Sequence, residues 1–227
     1  MTKPTPPRDG TDAGPNPAEL LRRSEYHDRF VEHTLRHRSD DLGREMLRQE
    51  WHYYAGLMSV PAEGARVLDL ACGSGRNAVA LAGHGARVIG LDLLPDALVR
   101  ARELADHDPR GVHLAAHLGL VVADATRPLP FRLASFDVIA GFRYLDRALF
   151  AVLVPFLVPG GELWWETFGP GQARFGHPRR AEFLLGPGEL PVLCAAAGLE
   201  VLAAQDHEDP GGAGPVLSAV RARRPMR

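Results

Sequence analysis

The chain lacks most of the features that would place it outside the ordinary globular class. It has only two cysteines, Cys72 and Cys194, among 227 residues. Two distant cysteines cannot form a disulfide framework, and a chain with 45% hydrophobic residues does not need one. A reducing, cytoplasmic setting is the expectation. No apolar run reaches the roughly 20 residues of a membrane helix. The N-terminus lacks an apolar segment and does not read as a signal peptide. Neither sign of charge dominates: the net charge is −2 and the pI is near 6.6. That excludes an overall basic signature, so neither nucleic acid nor membrane is expected as a partner. The histidines show no metal-ligand spacing, and no metal site is expected.

Proline and glycine punctuate what is there. Five prolines (Pro4, Pro6, Pro7, Pro15, Pro17) mark residues 1–17 as a solvated, disordered leader. Residues 18–58 are polar with apolar positions near helical spacing, among them Leu20, Phe30, Leu35, Met46 and Trp51. They read as a helical cap. From residue 59 to 227 the pattern becomes that of one α/β domain. Strands are expected at 66–70, 87–91, 118–123, 136–140, 162–166, 199–204 and 216–221. Helices are expected at 77–84, 95–106, 147–157 and 188–197. The connection after 204 is too short for a crossover helix, so the last two strands should pair antiparallel. The rest should be a parallel sheet with helices on both faces.

The most informative stretch runs from Arg66 to Asp92, RVLDLACGSGRNAVALAGHGARVIGLD. It joins a strand, a glycine turn, a helix and a second strand ending in an acid. Ligands of such sheets bind beyond the carboxyl ends of the strands, beside the first strand. Gly73 and Gly75 let backbone approach a ligand, and the following helix presents free N–H groups. Asp92, 17 positions after Gly75, can accept hydrogen bonds from ribose hydroxyls. Asp124 ends the third strand at the same edge, where adenine would lie. Two adenosine cofactors fit this pattern. Residues 73–78 also match the loose dinucleotide pattern G-x-G-x-x-A. Asp69, on the first strand, suits a cofactor with a cationic amino group. Together with the antiparallel ending, it favours S-adenosylmethionine (SAM) over a nicotinamide dinucleotide. Cys72, inside the turn, reads as structural.

The ordered set D-x-A-C-G-x-G at 69–75, G-L-D ending at Asp92, A-D-A at 123–125, F-D-V-I at 136–139 and L-V-P-G-G-E-L at 157–163 resembles the class I SAM-dependent methyltransferases. The piece Cys72–Asn77 is similar to the turn of tellurite-resistance-type methyltransferases. The resemblance implies a Rossmann-like, seven-stranded, mostly parallel sheet with an antiparallel last strand. It places Asp69, Gly73 and Gly75 around the methionine end of SAM and Asp92 at the ribose, with Ala71, Asn77 and Leu93 also among the cofactor contacts. Asp124 and Ala125 would border adenine, and Gly141 and Phe142 would lie beside the transferred methyl.

Methyl transfer from a sulfonium is an in-line displacement with a neutral leaving group. The protein needs mainly to align and dehydrate the reactants. Acceptor contacts are expected from Tyr53, Tyr54, Arg143, Tyr144, Thr167 and His177. Arg143, Tyr144 and Glu166 are the candidates for a catalytic part. The expected acceptor is a small molecule: a thiol, carboxylate, phenol or chalcogen oxyanion. The chain is expected to act as a monomer or homodimer. A SAM-binding regulatory protein without transfer activity, and an NAD-binding oxidoreductase, are the alternatives.

Overall fold

The computed structural model describes residues 57–58, 60–108, 112–175, 178–208 and 216–226. The leader and nearly all of the 18–58 cap lie outside them. Seven strands form one sheet: β1 (Arg66–Leu70), β2 (Arg87–Asp92), β3 (Leu118–Val122), β4 (Phe136–Phe142), β5 (Leu157–Phe168), β6 (Glu200–Glu208) and β7 (Val216–Arg223). Their order is β3-β2-β1-β4-β5-β7-β6. The first five run parallel, and β7 lies antiparallel between β5 and β6. Among the described residues five α-helices accompany them: α1 (Arg76–Gly83), α2 (Pro95–Asp106), α3 (Val112–His117), α4 (Leu149–Leu153) and α5 (Glu189–Ala196).

Side chains alternate across each strand, so each face of the sheet carries its own apolar layer. One layer gathers Leu68, Leu70, Ile139, Leu163 and Trp165 with Phe150, Leu153 and Leu190 from α4 and α5. The other gathers Val67, Val88, Val138, Ala140 and Trp164 with Ala78, Leu81, Leu104 and Leu114 from α1, α2 and α3. Helices therefore cover both faces, as expected. Asp69 falls between Leu68 and Leu70, so it points into the second layer, among apolar neighbours.

Three elements differ from the sequence expectation for local reasons. The helix expected at 147–157 is the short α4, followed by a 3-10 turn at Val154–Phe156. Pro155 removes the N–H that an α-helix would use. β5 begins at Leu157 and runs through Pro159-Gly160-Gly161. The ladder absorbs those residues as an irregularity between the Phe136–Leu157 and Val138–Glu162 pairs. α3 is a helix beyond the four that the sequence pattern assigns. No helix among the described residues is long and apolar enough to cross a membrane.

Candidate active site

The strand order reverses between β1 and β4, so a crevice opens beyond their carboxyl ends. Asp92 closes β2 there and is 8% exposed. Its Oδ2 accepts the Gly73 N–H at 2.8 Å and its Oδ1 accepts the Leu94 N–H at 2.9 Å. The acid therefore fixes the glycine turn to the start of α2. A carboxylate has about four acceptor positions, so two remain for further donors.

Asp69 is 1% exposed. It accepts the Ala78 N–H, satisfying a first-turn donor of α1 from a distance. Its Oδ2 has no hydrogen-bond partner among the described residues. Burial raises its pKa from 3.8 to about 7, and the Asp92 charge pushes the same way. The Ala78 N–H and the Arg76 charge oppose the shift. A buried acceptor without a donor calls for a ligand donor. The ammonium of a methionyl group fits that need, so these residues suit SAM. When bound, SAM supplies an electrophilic methyl on a sulfonium.

Gly75 of the turn is required by packing. Gly75 has φ +79°, and a β-carbon there would lie 2.5 Å from the Ala101 β-carbon of α2. Only glycine lets α1 and α2 approach so closely. Cys72 Sγ lies where a β-carbon on Gly90 would come within 2.9 Å. Burial, with the nearby Asp69 and Asp92 charges, pushes this thiol well above its ordinary range, as suits a structural cysteine. Ala71 holds φ +56° without being glycine. That conformation costs an L-residue about 1–2 kcal/mol, while glycine adds roughly 0.4–1 kcal/mol of unfolded-chain entropy. Ala71→Gly is therefore expected to stabilise the fold by about 0.5–1 kcal/mol. A denaturant midpoint that falls instead would remove the strain assigned to this residue.

The other predicted cofactor residues spread along the same edge. Asn77 and Leu93 are half-buried beside the turn and the β2 terminus. Asp124 Oδ1 accepts the Thr126 N–H at 2.9 Å and the Thr126 hydroxyl at 2.7 Å. This turn fixes the loop after β3. Ala125 is buried in the apolar layer. Gly141 is filled from behind: a β-carbon there would sit 2.4 Å from the Trp165 ring. Trp165 in turn donates its indole N–H to the Tyr144 carbonyl at 2.9 Å. Phe142 is buried at the end of β4.

At the ends of β4 and β5 the structure brings together two of the residues expected to take a catalytic part, Arg143 and Glu166. The Phe142–Glu166 register places the end of β4 against the end of β5. The Arg143 N–H donates to the Glu166 carbonyl at 2.7 Å. Its guanidinium Nε lies 3.4 Å from the Glu166 carboxylate, which is 1% exposed. The same guanidinium stacks over the Phe168 ring, 5.3 Å from its centre. Arg143 has φ +60°, a strained state for a non-glycine residue. Strand alternation puts Glu166 on the Asp69 face and Thr167 on the other. Thr167 faces Ser218 across the β5–β7 ladder, and both hydroxyls are buried without hydrogen-bond partners among the described residues. Thr167 therefore does not share a surface with Glu166. Tyr144 is half-buried against the α4–α5 layer. Tyr53, Tyr54 and His177 lie outside the described residues.

Sequence reasoning missed Arg147. It pairs with Glu189 and donates to the Leu184 carbonyl at 2.8 Å and the Glu182 carbonyl at 3.0 Å. It anchors the far end of the segment after β5. Two carbonyl partners on that segment and a carboxylate partner at the start of α5 were invisible in the linear order.

Residues 67–161 match the family model described as a methyltransferase domain. A ubiquinone biosynthesis O-methyltransferase of Xylella fastidiosa (strain 9a5c) is 32% identical over 121 residues, 51% of this chain and 47% of the relative. A demethylmenaquinone methyltransferase of Clavibacter sepedonicus is 36% identical over 121 residues, 51% of this chain and 46% of the relative. The matched region thus spans about half the length of these curated relatives. Among solved structures, a SAM-dependent methyltransferase from Methanosarcina mazei superimposes with a TM-score of 0.60 at 21% identity, covering 74% of this chain and 96% of that one. The 4+2 cyclase SpnF superimposes with a TM-score of 0.63 at 19% identity, covering 78% and 80%. These structural likenesses establish the fold. Residues 67–161 thus match a methyltransferase domain, and the strand order and the acid-and-glycine turn are consistent with that match.

Proposed function

We propose that the chain transfers the methyl group of SAM to a small-molecule acceptor bound between the ends of β4 and β5. The observation that carries the reading is the pair of buried acids at the carboxyl ends of β1 and β2. Asp92 holds the turn and keeps acceptor capacity for ribose, and Asp69 keeps an unpartnered oxygen for the methionyl ammonium. Asp124, at the end of β3, completes the adenosine side. The two curated relatives carry names from quinone and menaquinone chemistry, which favours a small ring-bearing acceptor. A phenol or another acidic group suits the cationic Arg143 beside Glu166. The two free cysteines suit a reducing cytoplasm.

Release of demethylated cofactor, followed across phenols, thiols, carboxylates, amines and chalcogen oxyanions, tests this proposal. Turnover with one acceptor class is the expected result. Tight SAM binding with no turnover on any class would favour the regulatory reading instead. The fold alone does not decide between them, since a cyclase shares it.

Arg143→Ala is expected to lower turnover of that acceptor about tenfold or more, roughly the loss of one charge-assisted contact. SAM affinity should stay within about twofold of the parent. Arg143→Lys should recover part of the rate, because it restores charge without the planar fork. Parallel loss of rate and SAM affinity would move Arg143 out of the acceptor site.

A further inference from the structure

The β3-to-β4 connection, residues 123–135, contains no helix. On the face of the sheet that α4 and α5 cover farther along, no helix among the described residues therefore covers β2 and β3. A groove of about 510 Å³ opens there, toward the amino ends of the strands. This is the end of the sheet away from Asp69 and Asp92. Its floor includes Ile89 and Gly119, which are register partners in β2 and β3. Phe131 walls it, held edge-on to Phe136 with ring centres 5.2 Å apart.

The rim is cationic. Arg66, Arg87, Arg132 and His117 all line the groove. Arg66 is neutralised by a two-pronged pair with Asp137, through contacts of 3.0 and 2.9 Å. Arg87 and Arg132 make no side-chain hydrogen bond or ion pair among the described residues. Asp137 is the nearby carboxylate, and it is already engaged. Among the described residues, two guanidinium groups without an ion-pair partner and an imidazole thus border an apolar floor. The volume lies within the range of small-molecule sites. Guanidinium groups are suited to carboxylate and phosphate oxygens, and the floor is suited to an apolar body.

We propose that this groove binds a small organic anion, an apolar ring or chain carrying a carboxylate or phosphate, at the end of the sheet opposite the cofactor. The site is independent of methyl transfer and would give the protein a second ligand.

Phenyl phosphate and benzoate are the charged probes, with benzyl alcohol as the neutral control and inorganic phosphate as the ring-free control. Chemical shifts of the full chain, with SAM present and absent, report binding. Saturable millimolar or tighter binding of a charged aromatic probe is expected, with shifts centred on Ile89, Gly119 and Phe131. Both controls should bind at least about tenfold more weakly. Two variants check the location. Arg87→Glu with Arg132→Glu reverses the rim charge. Gly119→Val fills the floor, and its β-carbon would meet Ile89 at an ordinary 3.8 Å, so folding should survive. Each should weaken the charged probe about tenfold or more and leave SAM affinity unchanged. Absence of saturable binding, equal binding of either control, or variants that leave the probe's affinity intact would each overturn the proposal.

Discussion

Replacing Asp92 with alanine is expected to destabilise the fold by about 2–4 kcal/mol and to weaken SAM binding by at least about tenfold. Both effects come from one side chain. In the free protein its two oxygens accept the Gly73 and Leu94 N–H groups at 2.8 and 2.9 Å, in a site only 8% exposed. Truncation leaves two backbone donors without their charged acceptor, and each such loss costs roughly 1–2 kcal/mol. It also frees the glycine turn from α2, so the cofactor must order the turn as it binds. Asp92→Asn separates the parts. It keeps one acceptor oxygen and most of the shape but loses the charge, so stability and affinity should both fall between parent and alanine variant. A denaturation series and calorimetric titrations of the three proteins check this. An alanine variant with parental SAM affinity would remove Asp92 from the ribose site, even if its stability fell as expected.

SAM affinity is expected to rise with pH through neutrality, with uptake of SAM releasing a proton. The cause is Asp69, whose folded pKa is raised from 3.8 to about 7, chiefly by burial. Below about pH 4 the carboxyl is protonated in folded and unfolded chains alike. Between there and about pH 7 the unfolded chain ionises and the folded one resists. Stability is therefore greatest on the acid side of this window and declines as pH rises through it. The loss approaches roughly 4 kcal/mol for this group alone at pH 8. An ammonium ligand reverses that penalty by giving the carboxylate its partner, so binding draws the proton off. Below the folded pKa, affinity should drop by up to about tenfold per pH unit. Asp69→Asn is neutral throughout. Its stability relative to the parent should increase from pH 5 to pH 8, while its SAM affinity at pH 8 falls and loses pH dependence. Calorimetry in buffers of different ionisation heat counts the released proton directly. A flat affinity profile in the parent would mean that Asp69 does not meet the ammonium.

The elements that position the cofactor were legible because their signals are local. β1 is an apolar run bounded by Arg66 and the glycine turn, and α2 begins at a first-turn Pro95 and ends where expected, at Asp106. The antiparallel end of the sheet followed from a connection too short for a crossover helix. What could not be read depended on register between distant strands. Nothing in the linear order of Arg143 and Glu166 says that β4 and β5 align Phe142 with Glu166. The same holds for Gly75, whose missing side chain is required by Ala101 in the next helix. Asp92 was expected to meet a ribose. That it already binds Gly73 is a tertiary fact that changes the expected cost of removing it. Pro159-Gly160-Gly161 read as a turn before β5, yet the parallel ladder begins upstream of it and tolerates the irregularity.

Calorimetric titration of the full chain with SAM and, separately, with NADH at pH 8 tests the central claim most directly. The arrangement of Asp69, Asp92 and the glycine turn predicts saturable one-to-one binding of SAM, competed by its demethylated product, and no heat with NADH. Saturable binding of NADH, or none of SAM at millimolar concentration, would contradict it.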